Sequence, residues 1–252
     1  MKILLTNDDG INAGGLRAMK KVLDNFANVT VSAPETEMSA VGHSITIADP
    51  LRVRTVRKNG DVFGIAVNGT PADCVKIAVR AIMDEKPDMV VSGINHGRNV
   101  ATNVIYSGTV SAATEGMILG IPSVAISLAS FDPVDFSLAS EYAMKVIKVV
   151  AQRGLPKNTL LSVNIPDAKK DEVKGIKVCK LGVSKFVEVF EKRVDPRLND
   201  YYWQGGQMEV DQDDGDADIT WLANNWVTVT PIHFDLTHYS FLDELKSWEF
   251  TS

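Results

Sequence analysis

Two adjacent carboxylates, Asp8 and Asp9, stand in the pentapeptide Thr6-Asn7-Asp8-Asp9-Gly10, directly behind a short apolar run at residues 3–5. Side by side at the end of a strand they repel each other, and keeping both ionised is costly unless a cation or several donors compensate. Gly10 permits a sharp exit from the strand. The pentapeptide therefore reads either as oxygen ligands for a hard divalent ion or as a polar turn in which one acid caps a helix. A second cluster, Ser92-Gly93-Ile94-Asn95-His96-Gly97-Arg98-Asn99, follows a buried run at 89–91. Its glycines allow close backbone approach and its asparagines supply neutral oxygens or amide donors, although a Gly/Asn-rich loop alone is an ordinary turn. A third, Tyr106-Ser107-Gly108-Thr109-Val110-Ser111, puts hydroxyls and a glycine at the opening of a small-residue helix. Free N–H groups and the positive end of the helix dipole make such a place an anion site, the plainer alternative being a Ser or Thr cap. The segment from Ser39 to Thr46 brings a hydroxyl and His43 into a loop after the second strand. The chain has neither a Gly-Lys-Ser/Thr phosphate loop nor a GxGxxG dinucleotide fingerprint.

These residues need a scaffold, and the first 150 residues supply one by alternating strand-like and helix-like segments. Strands are expected at 3–6, 29–33, 51–56, 63–67, 89–91 and 124–128, with Asn59-Gly60 as a hairpin turn. Helices are expected where Leu16, Met19, Leu23 and Phe26 recur, at 71–82, at 107–119, and behind Asp135 with Leu138, Ala139, Tyr142, Val146 and Val149 on one face. The expected fold is therefore α/β, a Rossmann-like, mostly parallel sheet flanked by helices. In such sheets ligands gather at the carboxyl ends of the strands, which is where the clusters fall. The chain reads as a single domain, 1–252, with a β-rich C-terminal extension at about 176–230 whose aromatic residues suit an oligomer interface. The acidic run 211–216 departs from a calcium loop at three required positions and reads as solvated.

Composition narrows the partners. Of 252 residues, 45% are hydrophobic and 23% charged, which excludes wholesale disorder. Net charge is −6, from 26 basic against 32 acidic residues, and six of the acids lie between Glu209 and Asp218. There is no basic excess to hold a nucleic-acid polymer. Cys74 and Cys179, the two cysteines, form no CxxC pair and read as core thiols in a reducing compartment. The three apolar residues near the N-terminus fall short of the roughly 7–15 of a secretory signal, and no run approaches the roughly 20 of a membrane span. The expectation is a soluble, cytoplasmic protein without membrane contact.

Taken together and in order, TNDDG, the Ser39 to Thr46 loop, Asn68-Gly-Thr-Pro-Ala-Asp73, SGIN with Asn99, Tyr106-Ser-Gly-Thr109 and Thr230-Pro231 with Asp235 and Thr237 resemble the SurE family, the survival protein E type of 5′-nucleotidase. The resemblance runs from residue 1 to about 238. It implies a metal-dependent phosphomonoesterase acting on nucleoside 5′-monophosphates, with 3′-monophosphates and short polyphosphates as further candidate substrates. It places metal ligands at Asp8, Asp9, Ser39 and Asn95, with one Mg²⁺ or Mn²⁺ per subunit, and catalytic roles at Asp8, Asp9 and Asn95. The phosphate cradle falls on Asn95, Ser107, Gly108 and Thr109. His43 and Asn99 are candidate substrate-site residues. Ser111 stands where the family pattern leads one to expect glycine. A homodimer or tetramer is implied. Two other classes fit some of the same residues: a receiver-type module that accepts phosphate stoichiometrically, and a nucleotide-binding sensor without catalysis.

Overall fold

The computed structural model describes residues 1–131, 135–210 and 215–250. Its first strand, β1 (Lys2–Thr6), buries Ile3, Leu4 and Leu5 completely. A strand apolar on both faces has to lie inside a sheet with both faces covered. α1 (Gly14–Leu23) turns Leu16, Met19 and Leu23 to the core and leads to β2 (Asn28–Pro34), parallel to β1. β3 (Val53–Lys58) and β4 (Asp61–Val67) form an antiparallel hairpin. Its turn residues Asn59 and Gly60 sit at φ 53° and 92°, the left-handed pair that a tight hairpin demands. α2 (Pro71–Ile77) starts with a capping box between Thr70 and Asp73 and runs into a π-helical turn, Ala78–Ile82. β5 (Met89–His96), α3 (Gly108–Ile118), β6 (Ser123–Leu128), α4 (Ser137–Arg153) and β7 (Leu160–Ile165) continue the parallel winding.

The final part supplies β8 (Ile176–Val178), β9 (Ser184–Val194), β10 (Asp200–Val210), α5 (Asp218–Ala223), β11 (Val227–Ile232) and α6 (Tyr239–Leu245). The main sheet runs β3-β4-β2-β1-β5-β6-β7-β11-β8, while β9 and β10 pair only with each other. Hence, of the 176–230 segment, β8 and β11 belong to the central sheet. The separate β-structure among the described residues is the 184–210 hairpin. Residues 211–214 of the acidic run lie outside the described residues.

Within the central strands, successive residues divide between two cores. Ile3, Leu5, Met89, Val91, Val124 and Ile126 join Leu16, Met19, Ala143 and Ile147 on the α1/α4 side. Leu4 and Val90 pack with Val75, Ala78 and Ala112 on the α2/α3 side. This is the period of two hidden inside runs that look uniformly apolar. On α4 the buried stripe is Ala139, Tyr142, Ala143, Val146, Ile147 and Val150. Val149, expected on that face, is 52% exposed while Val150 is 3% exposed, because a helix advances about 100° per residue and position 150 continues the 139–143–146 row. The N-cap position of α4 falls on Phe136, one residue beyond the expected Asp135, whose carboxylate still accepts from Ser137 N at 2.8 Å and Ser137 Oγ at 2.6 Å. Both cysteines are buried and unpaired. Among the described residues no helix is long and apolar enough to cross a membrane.

Candidate active site

From β1 the chain winds through α1 to β2 on one side, whereas β5 flanks β1 on the other, in register Thr6 to Ser92. The winding reverses between these strands, opening the crevice where doubly wound sheets take ligands. Asp8, just past β1, is buried and turned to the start of α3, where Thr109 Oγ1 donates to its Oδ1 at 2.6 Å. Ser107 caps the helix, its Oγ accepting from Val110 N at 3.1 Å. Gly108 is where strand and helix meet most closely: a Cβ there would lie 2.7 Å from Asp8 Cβ and 2.8 Å from Oδ2. Only glycine lets the aspartate approach the helix so closely. Ser111 Oγ donates back to Ser107 O at 2.7 Å and leaves the Gly108–Thr109 contact untouched.

Asp9 turns towards β5, its Oδ1 3.0 Å from His96 Nδ1. The Ser92–His96 stretch, read from composition as a loop, is strand with a register shift between Ser92 and Asn95. Pairing resumes beyond the shift at Asn95–Ser127 and His96–Leu128, so it is a bulge that re-aims the side chains following it. Asn95 Nδ2 donates to Gly97 O at 2.8 Å, which fixes the amide and leaves its oxygen as a free acceptor. Asn99 is clamped from two strands: its N–H donates to Asn164 Oδ1 at 2.8 Å, Asn164 Nδ2 returns a bond to its carbonyl, and its own Nδ2 donates to Ser127 Oγ.

Ser39 lies in the long connection 35–52, which has no helix or strand of its own. Connections of that length are usually functional, and this one is fastened at several points. Met38 N donates to Asp8 O at 2.8 Å, and Gly42 N to Tyr106 O at 3.1 Å. His43 Nε2 is 3.0 Å from Glu115 Oε2, with Lys76 Nζ 3.3 Å from the other oxygen. Thr46 N and Oγ1 both donate to the Asp73 carboxylate. Asp73 thus caps α2 and holds this loop at once. Ser39 Oγ donates to Glu37 Oε1 at 2.6 Å.

A cavity of about 570 Å³ opens over these groups, within the range of small-ligand sites. Asp8, Ser39, Asn95, Asn99 and Ser107 line it. Gly108 and Thr109 stand behind Asp8, Asp9 lies beyond the lining His96, and His43 is engaged with Glu115. Burial raises the Asp8 carboxyl above its ordinary value despite the Thr109 bond. Asp9 is pushed up to about 7, first by burial and then by the Asp8 charge, with His96 opposing. Two crowded carboxylates, a free amide oxygen and a nearby hydroxyl are hard oxygen donors, and a divalent cation would reverse the penalty both acids carry. Among the described residues no three His, Cys, Asp or Glu side chains gather as a metal cluster. A cation at this place would therefore be held by the two carboxylates and neutral oxygens, a set suited to Mg²⁺ or Mn²⁺.

The family model described as Survival protein SurE matches residues 3–188. The chain belongs to the SurE family. Similar relatives are "5′-nucleotidase SurE" of Syntrophobacter fumaroxidans, 52% identical over 98% of this chain and 99% of that one, and "5′-nucleotidase SurE" of Carboxydothermus hydrogenoformans, 47% identical over 98% and 96%. Among solved structures, the SurE protein from Aquifex aeolicus superposes with a TM-score of 0.84 at 38% identity, covering 98% of each chain. The α/β fold and the SurE resemblance read from the sequence are thereby shown.

Within this SurE fold, several contributors to the cavity had no local signal. Asn164, fully buried on β7, orients Asn99 from 65 residues away. Glu115 looks from the sequence like one more polar helix position, yet it is the buried anchor for His43. Phe186, Glu188 and Gln204 reach the cavity from the β9–β10 hairpin, and Arg98 and Phe131 from the edge of the sheet. Arg98 did stand inside a quoted motif, where a lone cation among neutral groups was the available clue.

Proposed function

We propose that this chain is a metal-dependent phosphomonoesterase that hydrolyses nucleoside 5′-monophosphates to nucleoside and phosphate. The observation that carries the reading is Asp8, held against the first turn of α3 by Thr109 inside a cavity large enough for a nucleotide. Relatives sharing about half of its residues over nearly the whole chain bear the name 5′-nucleotidase.

Asp8, Asp9, Ser39 and Asn95 are the residues we assign to one Mg²⁺ or Mn²⁺ per subunit. A bound divalent ion would neutralise phosphate oxygens and lower the pKa of a water. Ser107, Gly108 and Thr109, with Asn95, cradle the phosphoryl group, whose spreading negative charge is stabilised at a helix start. Asp9, steered by His96, takes the proton of the attacking water. A P–O bond forms to that water as the ester P–O bond breaks, and the departing sugar oxygen is protonated from solvent. Asn99 lies at the cavity wall as a substrate contact, whereas His43 serves the substrate through the loop it fastens.

Phosphate release from a panel of nucleoside monophosphates, with Mg²⁺, with Mn²⁺ and with chelator, tests this on the native chain, Asp8→Asn and Asp9→Asn. Metal-dependent turnover that falls at least about tenfold in both variants is expected, about 1.4 kcal/mol of barrier per decade. Nucleotide binding that survives chelation without product would point instead to a sensor, and one phosphate retained per chain to a receiver-type acceptor. A base-labile phosphate trapped on Asp8 or Asp9 would overturn direct attack by water.

We also infer that the single domain associates into dimers or tetramers through its hairpin. Val187, Val189, Tyr201 and Trp203 share the hairpin face opposite the cavity and are all substantially exposed. Trp203→Glu should lower the mass seen by sedimentation; an unchanged mass would count against that interface. Two unpaired buried thiols agree with a reducing, cytoplasmic setting.

A further inference from the structure

The segment that carries Ser39 is held in place by polar contacts. None of residues 39–45 is buried, so apolar packing does little to fix it. Ala40 and Gly42 sit at φ 55° and 58°. These are left-handed conformations that bend the chain back, and alanine keeps one only where its surroundings hold it there. On either side of Ser39, Met38 N bonds to Asp8 O and Gly42 N to Tyr106 O. Further along, Thr70 Oγ1 donates to Ser44 O at 2.8 Å and Thr46 Oγ1 donates to Asp73, which tie the segment to the start of α2.

The contact with α3 is different in kind, because it rests on a buried charge. Glu115 is 2% exposed and lies two turns beyond Gly108 on the same helix. A carboxylate buried there is costly unless charged or donor groups reach it. Two do: Lys76 Nζ from α2 stands 3.3 Å from Oε1, and His43 Nε2 from the loop stands 3.0 Å from Oε2. Burial raises the carboxyl, yet the His43 bond and the Lys76 charge outweigh it and leave the group below its ordinary value. An ionised carboxylate only accepts, so His43 Nε2 bears the proton and donates.

α3 thus meets the site twice. Its first turn receives Asp8 through Gly108 and Thr109, and two turns later Glu115 grips the loop that brings Ser39. A single helix therefore sets the place of Ser39 against the place of Asp8.

We infer that Glu115 is a positioning residue for the metal centre: through His43 it locks the Ser39 loop against α3, and so governs affinity for the divalent ion without touching it. The inference rests on the metal-dependent reading of the site and adds a group that maintains it from outside the cavity. Partners that orient ligands from behind are worth about 10–100-fold in metal affinity.

Calorimetric titration of Mn²⁺ tests this on the native chain, His43→Ala, His43→Gln, Glu115→Ala and the double alanine variant. A glutamine amide can place a donor where Nε2 stands. The Kd for Mn²⁺ should rise about tenfold or more in His43→Ala and in Glu115→Ala. The double variant should bind no more than about twofold more weakly than the weaker single one, since both remove one contact. His43→Gln should stay within about threefold of native. Phosphate release at limiting Mn²⁺ should fall in step, and excess Mn²⁺ should restore most of it in His43→Ala. An unchanged Kd in His43→Ala, losses that multiply in the double variant, or a glutamine variant as weak as the alanine one overturns the positioning role. Turnover that excess Mn²⁺ does not restore also overturns it, because His43 would then act on the substrate itself. A native chain that binds no Mn²⁺ refutes the metal-dependent reading and this inference with it, whereas failure of the variants alone leaves that reading intact.

Discussion

Gly108→Ala isolates the contact on which the site depends. The added methyl would stand 2.7 Å from Asp8 Cβ, 2.8 Å from Oδ2 and 3.1 Å from Cγ. Carbon atoms rest at about 3.5–4.0 Å, so Asp8 must retreat by about 1 Å or the helix must tilt. The aspartate is short, buried and bonded to Thr109, so it has no rotamer that clears the methyl and keeps the 2.6 Å bond. Displacement of a reacting group by about 1 Å costs about 100-fold in rate, equivalent to about 2.7 kcal/mol of barrier. Stability should change far less. Overpacking costs about 1–3 kcal/mol, while alanine in place of glycine in a helix returns about 1 kcal/mol. The net loss of about 0–2 kcal/mol moves Tm by less than about 8 °C in a chain of this size. The assay is metal-dependent phosphate release beside a thermal melt, with Ser111→Ala, one turn further along the same helix, as the control expected to stay within threefold of native activity. Native-like activity in Gly108→Ala would refute the argument. So would activity and fold lost together, since the effect would then be global.

Two further outcomes follow from buried carboxylates outside the reacting centre. Burial pushes Glu115 upward, but the His43 bond and the Lys76 charge outweigh it and hold the carboxyl below its ordinary value. A depressed carboxyl contributes stability above its unfolded pKa, about 4.3, and loses it as pH falls through the folded value. The Tm gap between native chain and Glu115→Gln should therefore be widest near pH 6 and shrink below about pH 4; a constant gap down to pH 3.5 would contradict the pairing. Asp218 accepts from the N–H groups of Ala101, Gly182 and Ile219. Asp218→Ala strands buried donors that cost about 1–3 kcal/mol each, so urea denaturation should show a loss of about 3 kcal/mol or more. Hydrogen exchange should quicken at 101–105 and 182–186 before the rest of the sheet, and uniform acceleration would show that Asp218 does not fasten the hairpin in particular.

Much of the scaffold is legible because its signals are local. Four consecutive residues, 3–6, announce a buried strand, and Asn59-Gly60 announces the β3–β4 hairpin. The chemistry-bearing clusters, too, fall where strand ends and helix starts are expected. Val149 shows where local reading fails: periodicity tolerates either 149 or 150, and the choice falls to whichever side chain meets the core. The Ser92–Asn99 segment shows a second limit. Glycines and asparagines announce a turn, yet strand pairing with β6 resumes at Asn95, because a partner with free N–H and C=O groups outweighs local propensity.

What the sequence by itself determined is the α/β class, the order of strands and helices over the first 150 residues, and the chemical kinds gathered at their junctions, since all of these depend on contacts between near neighbours. The helices α5 and α6 in the β-rich part were not read from it. Only the tertiary structure decided which junctions meet. It set β5 beside β1, so that Asp8 and Asn95 share one crevice. It brought Asn164 under Asn99, fastened the Ser39 loop through Asp73 and Glu115, and laid one face of a distant hairpin over the open side of the cavity. Those placements join residues from 27 to over 100 positions apart, as Thr46 with Asp73, Asn99 with Asn164 and Ala101 with Asp218. No local period encodes such pairings, because they arise when whole buried faces find their partners.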